Sequence, residues 1–375
     1  MELFDVYPLY DITPVKGEGM YVYDDKGTQY LDLYGGHAVI SIGHSHPFYV
    51  NSVSDQLKKL GFYSNAIKNP LQIKLAEKLG KLSECDDYQL FLCNSGAEAN
   101  ENALKVASFV TNRSKVIAFR NGFHGRTSAA VATTDNLAIN APINLQQEVT
   151  FLPLGDIEAL ETELAKQDVC AVIIEYIQGV GGLDEAHKDF YEEMNCLCHK
   201  YGTLLIADEV QAGFGRTGNF FAFQKYAVIP DIISMAKGMG NGFPVGGILI
   251  HPNIKATYGM LGTTFGGNHL ACVASLAVLE VLEKDKLMEN ALQIETYFRE
   301  KAKEIGAVKN IKGRGLMLGL EFDFEVAELR KKLIYEHHIF TGSAKNKYVL
   351  RILPPLCITT KHLDTFFEAL KTALG

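Results

Sequence analysis

Thr203-Leu-Leu-Ile-Ala207 runs straight into Asp208-Glu-Val-Gln211, and Asp231-Ile-Ile-Ser-Met-Ala236 runs straight into Lys237-Gly238. Both apolar stretches are short, do not alternate with polar residues, and stop at charge. That is the pattern of strands buried on both faces. Working outward, Gln89–Cys93, Lys115–Phe119 and Val169–Ile174 read the same way, with helix-like segments at 71–82, 99–111, 157–166 and 188–201. Strands alternating with helices predict an α/β fold built on a mainly parallel sheet. In such sheets ligands bind beyond the carboxyl ends of the strands, where Asp208 and Lys237 fall.

The flanks have a different texture. After the helical stretch His269–Lys284 come helices around 286–305 and 325–337 and short strands at 316–322 and 348–352. Near the start, segments 20–23 and 29–33 flank Asp24-Asp-Lys-Gly27, a turn sequence suited to a hairpin. We expect a large domain over 46–284, a smaller α+β domain over 285–375, and an N-terminal segment, 1–45, packed with the small domain.

A chain of 375 residues, 47% of them hydrophobic, can bury a large core and is neither disordered nor coiled coil. Its 36 Lys plus Arg against 44 Asp plus Glu leave a net charge of −8, which excludes the concentrated positive field of a nucleic-acid binder. Met1-Glu-Leu-Phe-Asp5 carries no basic segment followed by an apolar one, and no apolar run approaches the ~20 residues of a membrane span. An odd count of 7 scattered cysteines suits a reducing compartment, so a cytoplasmic protein is expected. Cys196-Leu-Cys198-His199 has no second ligand pair nearby, and no metal centre is expected.

Three strand ends could carry chemistry. Asn94-Ser-Gly-Ala-Glu-Ala-Asn100 follows a strand and opens a helix, so free N–H groups and the helix dipole make an anion site. Ser95 with Glu98 is equally an ordinary capping box. Asp208 is a carboxylate at a strand end, a place also taken by helix caps and ion-pair partners. Lys237, beside the flexible Gly238-Met-Gly-Asn-Gly242, suits covalent chemistry with a carbonyl, or else is a solvated lysine. Together they match what pyridoxal phosphate requires: a phosphate cradle, an amine for its aldehyde, and an anion to keep its ring nitrogen protonated. A nicotinamide dehydrogenase is disfavoured, because no G-x-G-x-x-G follows a strand. A non-catalytic binding protein is disfavoured by the intact lysine and aspartate.

Seven blocks, in order, resemble the class III (ornithine-type) pyridoxal-phosphate-dependent aminotransferases, closest to the acetylornithine/succinylornithine group. They are Asp32-Leu-Tyr-Gly-Gly-His37 with Gly43-His-Ser-His-Pro47, the 94–100 segment, Phe123-His-Gly-Arg126, Asp208-Glu-Val-Gln211, Lys237-Gly238, Gly262-Thr-Thr-Phe-Gly-Gly-Asn268 and Arg351-Ile-Leu-Pro-Pro-Leu356. The resemblance implies a fold-type I transferase with a seven-stranded-type sheet, and a homodimer whose active site lies at the interface. It also implies pyridoxal 5'-phosphate as cofactor. The amino group would pass from N-acetyl- or N-succinylornithine to 2-oxoglutarate, as in arginine biosynthesis. Ornithine, 4-aminobutyrate and acyl-lysine aminotransferases are the alternatives.

It further implies roles. Ser95, Gly96 and Ala97 would bind the phosphate, with Thr264 reaching it from the neighbouring subunit. Phe123 and Val210 would cover the two faces of the ring, Asp208 would pair with the ring nitrogen, and Gln211 would approach the ring's phenolic oxygen. Lys237 would hold the aldehyde and then carry the proton. Arg126, with Thr263 close by, would take the substrate α-carboxylate, and Arg351 that of the dicarboxylate co-substrate. His124 and Glu209 would support these groups from behind. In Glu175-Tyr-Ile-Gln-Gly-Val180, relatives usually carry Pro at the place of Tyr176 and Glu at that of Val180, where the glutamate masks the arginine matching Arg351. Without that mask, a donor bearing a second carboxylate, such as succinylornithine, is expected to fit better than acetylornithine.

Overall fold

β7, Val169–Ile174, and β5, Lys115–Phe119, are buried at every position, as their unbroken apolar runs predict. In the computed structural model, which describes residues 1–375, they lie inside a sheet of seven strands. The others are β4 (Gln89–Cys93), β6 (Val149–Leu152), β8 (Leu204–Asp208), β9 (Ile232–Met235) and β10 (Gly246–Ile250), and the spatial order is β4-β10-β9-β8-β7-β5-β6. All pairings are parallel except the two made by β10, which runs antiparallel between β4 and β9. β4 therefore points the same way as the parallel strands, and the carboxyl ends of β4, β5, β7, β8 and β9 share one edge. Helices Gly96–Thr111, Ile157–Leu164, Lys188–Tyr201 and His269–Lys284 pack around the sheet.

The expected hairpin is present. β2 (Tyr21–Asp24) and β3 (Gln29–Asp32) pair antiparallel, and β1 (Pro14–Glu18) adds to β2. The Asp24 carboxylate closes the turn by accepting from the N–H groups of Lys26 (3.0 Å) and Thr28 (2.7 Å). β3 also takes β13 (Ile339–Phe340) as a parallel neighbour, Leu31 opposite Ile339, so the two ends of the chain share a sheet. A third sheet holds β11 (Asn310–Arg314), β12 (Met317–Glu321), β14 (Gly342–Ser343) and β15 (Val349–Ile352), with Arg351 on β15.

Arg216 joins these parts. It is 2% exposed, and its guanidinium donates to the carbonyls of Ile40 (3.4 Å), Leu316 (3.2 Å) and Pro354, one from the N-terminal segment and two from the last third of the chain. Burial holds its pKa down to about 10, yet it stays charged at neutral pH.

Three elements go beyond the sequence reading: helix Pro47–Lys59, which buries no residue, β10, which opens with two glycines, and the closing helix Thr360–Leu374, which buries an apolar stripe of Leu363, Phe366, Phe367 and Leu370. Boundaries also shift: the helix expected from 99 begins at Gly96 because Ser95 caps it, and the strand expected to end at Ala207 includes Asp208.

Candidate active site

The shared strand edge opens on a cavity of about 380 Å³. Ser95, Gly96 and Ala97 line it from the end of β4, Phe123 and Arg126 from the loop after β5, Asp208, Val210 and Gln211 from β8, and Lys237 from β9. Asn100, His124, Glu175, Val180 and Val245 complete much of the wall. Residues far apart in sequence meet here because parallel strands deliver their carboxyl ends to one line.

Ser95 is the N-cap of helix Gly96–Thr111; its hydroxyl accepts from the Glu98 N–H at 3.2 Å. Glu98 reaches back past the cap to the N–H of Asn94 (3.1 Å) and to its side-chain amide (2.8 Å). The first N–H groups of the helix have no intrahelical acceptor and meet the cavity, so the positive end of the dipole faces it. Gly96 is required by closeness: a Cβ there would lie 2.5 Å from Cγ1 of Val210. Gly96→Ala must displace Val210, with an expected cost of ~1–3 kcal/mol in unfolding free energy and weaker anion binding. Denaturant unfolding and phosphate titration of the variant check both.

Asp208, 4% exposed, is held from every side. Its Oδ2 accepts from Asn100 Nδ2 (2.8 Å) and contacts His124 Nδ1 (2.7 Å), and its Oδ1 accepts from the Val210 N–H (3.1 Å). Neighbouring Glu209 does a different job. Its carboxyl, pushed up to about 8 by burial, accepts from the N–H groups of Ala222 (2.8 Å) and Phe223 (2.9 Å) and anchors the following loop.

Lys237 has φ +45°, a left-handed conformation that costs a non-glycine residue of order 1–3 kcal/mol. Burial lowers the pKa of its amine; Asp208 and Glu175 oppose the shift and Arg351 adds to it. A lowered pKa enlarges the fraction of free amine, the form that attacks a carbonyl and accepts a proton. Glu175 is pushed upward by burial and Asp208, while His124 opposes the rise. Its two oxygens accept from the Phe123 N–H (2.9 Å) and the Gly179 N–H (2.8 Å), tying together two loops of the wall.

The remaining predicted residues lie elsewhere. Arg351, 3% exposed, makes no ion pair: its guanidinium donates to the carbonyls of Gly179 (2.7 Å) and Ser343, with Gln211 Oε1 at 3.5 Å. Gln211 Nε2 donates to the His37 carbonyl (3.1 Å). Thr263 is not brought beside Arg126. It faces a second cavity with Asn65 and Gln72, and meets the first only through Asn94, 3.5 Å away. Thr264 is exposed, away from the cavity of its own chain. Tyr176 is fully buried against Tyr191 and Tyr226, and its hydroxyl has no partner.

The sequence pattern of the family described as Aminotransferase class-III matches residues 6–374. This chain is a class-III aminotransferase. It is similar to the acetylornithine aminotransferases of Archaeoglobus fulgidus (39% identity, covering 98% of this chain and 96% of that protein) and Bacillus subtilis (38%, covering 100% and 97%). Among solved structures it resembles the N-acetylornithine aminotransferase of Stenotrophomonas maltophilia (TM-score 0.82, 32% identity, 98% and 96% covered). It also resembles the ornithine aminotransferase of Toxoplasma gondii (TM-score 0.90, 29%, 98% and 91%). Class-III aminotransferases are pyridoxal-phosphate enzymes of fold type I, and so is this chain. Its cavity fits that cofactor: an N–H cradle too tight for a Cβ, a fixed carboxylate and a cavity-lining amine line one space.

Missed by sequence reasoning as site components were Glu175 and Asn100, both quoted only as parts of motifs. A carboxylate directly after the β7 apolar run is the one signal that points to Glu175.

Proposed function

We propose that this aminotransferase moves the δ-amino group of an N-acylated ornithine to 2-oxoglutarate, giving an N-acylglutamate semialdehyde and glutamate, the chemistry of arginine biosynthesis. The convergence of Lys237, Asp208 and the Ser95–Ala97 turn on one cavity carries the reading, and the names of the relatives point to the donor. Bound pyridoxal phosphate supplies a ring that absorbs the electron pair left when the donor loses a proton. Ser95, Gly96 and Ala97 would hold its phosphate, Phe123 and Val210 would flank its ring, Gln211 would adjoin its phenolic oxygen, and Asp208 would keep its nitrogen charged. Lys237 Nζ would hold the aldehyde carbon until the donor amine displaces it, and the freed amine would then take the proton from the donor carbon bearing nitrogen and, with the ketoacid, return one. Arg126 would bind the substrate α-carboxylate as a planar fork, and Arg351 would bind the second carboxylate of 2-oxoglutarate.

A homodimer completes this reading. Phe62, Tyr63, Ile67, Ile73 and Phe265 are all exposed, an apolar area of the kind that marks an interface. There Thr264 of one subunit would reach the phosphate site of the other. No helix is long and apolar enough to cross a membrane, and the cysteine usage supports a cytoplasmic setting. The chain is best divided into a large domain, 46–284, and a small one, 285–375, that takes up the N-terminal segment 1–45.

The test is a donor panel with 2-oxoglutarate, reading glutamate. Acylated ornithines are expected to outperform ornithine and 4-aminobutyrate; the reverse order overturns the assignment. Within the panel, succinylornithine is expected to exceed acetylornithine by ~10-fold in kcat/KM, one charged hydrogen bond's worth. Val180 lines the cavity and Arg351 is bound only to carbonyl and amide oxygens, so a second carboxylate that displaces those contacts would gain a cation without an acidic partner. Preference for the acetyl donor rejects that part.

A further inference from the structure

We infer that Asn100 and Ser234 form a buried relay that fixes Asp208 toward the cofactor's ring nitrogen and thereby sets how tightly this chain holds pyridoxal phosphate; the inference rests on the cofactor role of Asp208 proposed above. The three residues come from helix Gly96–Thr111, β9 and β8, and are 1%, 0% and 4% exposed. The Ser234 hydroxyl donates to Asn100 Oδ1 at 2.5 Å. Asn100 Nδ2 spends its two hydrogens on Asp208 Oδ2 (2.8 Å) and the His124 carbonyl (2.7 Å). Every polar atom of the Asn100 side chain is therefore used. The amide cannot be turned over, because its oxygen would then face two acceptors.

The relay sits among apolar neighbours: Ala99, Ala103, Ile206 and Ile232 are all buried beside it in sequence or on the same elements. A leucine and an alanine could fill that volume without hydroxyl or amide, and a buried polar pair adds little net stability over such packing. What the pair adds is direction. Donors from Asn100 and His124 converge on Oδ2 and the Val210 N–H engages Oδ1, which stops the carboxylate from rotating and leaves the remaining capacity of Oδ1 as its free acceptor. A carboxylate locked this way accepts a ring N–H without first losing rotational freedom. Asn100 and Ser234 are thus positioning residues that act through Asp208.

The experiment titrates apoenzyme with pyridoxal phosphate and, separately, with its analogue carrying CH in place of the ring nitrogen, following absorbance or fluorescence. Asn100→Leu is expected to weaken pyridoxal phosphate binding ~10-fold and Ser234→Ala ~3-fold, the range for a hydrogen bond to a charged group and for a neutral one behind it. Affinity for the nitrogen-free analogue should stay within ~2-fold of the parent in both, since that ligand gives Asp208 nothing to accept. Equal losses for the two ligands, or no loss for pyridoxal phosphate, overturn the relay. Ser234→Ala, the milder change, decides the matter if Asn100→Leu fails to fold. A parent protein that binds both ligands equally overturns the role of Asp208 itself, and the relay with it.

Discussion

Lys237→Ala is expected to lower kcat by ~10⁴-fold or more while leaving a folded protein that still binds the cofactor's phosphate. The amine is the only lysine lining the cavity, and the imidazole there, that of His124, is buried with its Nδ1 against Asp208. Glu175 has its two oxygens engaged by backbone donors. Lys237→Arg should be as inactive, because a guanidinium never supplies the free base. Single-turnover assays with donor alone read the loss, and borohydride should no longer fix cofactor to the protein. A variant that keeps more than about one-hundredth of the parental rate would remove Lys237 from the centre of the chemistry.

The same substitution should raise the stability of the apoprotein, with a definite sign in pH. The folded-state pKa of Lys237 is lowered chiefly by burial, so the folded chain binds that proton less readily than the unfolded one. The group therefore costs nothing above its unfolded value near 10.5, and its cost grows as pH falls toward and through the folded value. Apo Lys237→Ala should melt higher than the apo parent at neutral pH, and the gap should close as pH rises toward 10.5. Thermal melts across that range check the sign. A gap that widens with pH would mean that the amine is not desolvated.

Asp208→Asn carries the second large effect, an expected ~10³-fold loss in kcat and a clear loss of cofactor affinity. The replacement keeps the shape, so the argument turns on hydrogens. Donors from Asn100 and His124 converge on Oδ2, which obliges the new side-chain oxygen to stay in that place. The new NH2 group then takes the place of Oδ1, against the Val210 N–H and toward the cavity. A donor now faces a ring nitrogen that must donate, and the negative charge holding that nitrogen protonated is gone. Cofactor titration and steady-state rates measure the change. Parental affinity and rate in Asp208→Asn would remove Asp208 from the ring-nitrogen role.

Most of the central sheet was legible because parallel strands buried on both faces leave unbroken apolar runs, which is why β5, β7 and β9 appear at their observed limits. β10 escaped because Gly246-Gly247 looks like the tail of the preceding glycine-rich loop. In the sheet those two glycines lie opposite Cys93 of β4, and Leu92 and Met235 of the strands on either side. Helix Pro47–Lys59 buries no residue within this chain, although Val50, Val53 and Leu57 recur at helical spacing along it.

For the site, the sequence alone determined which groups are present: an anion-binding helix start, a strand-end carboxylate and a strand-end lysine, each a local feature written within a few residues. It could not determine who holds whom. That Asn100 and His124 grip Asp208, that Glu175 ties the Phe123 loop to Gly179, and that Arg351 rests on carbonyls instead of a carboxylate are contacts between separate elements. Hydrogen bonds reach about 3 Å, so they are settled only when the sheet has brought its strand ends together, and that is work of tertiary packing alone.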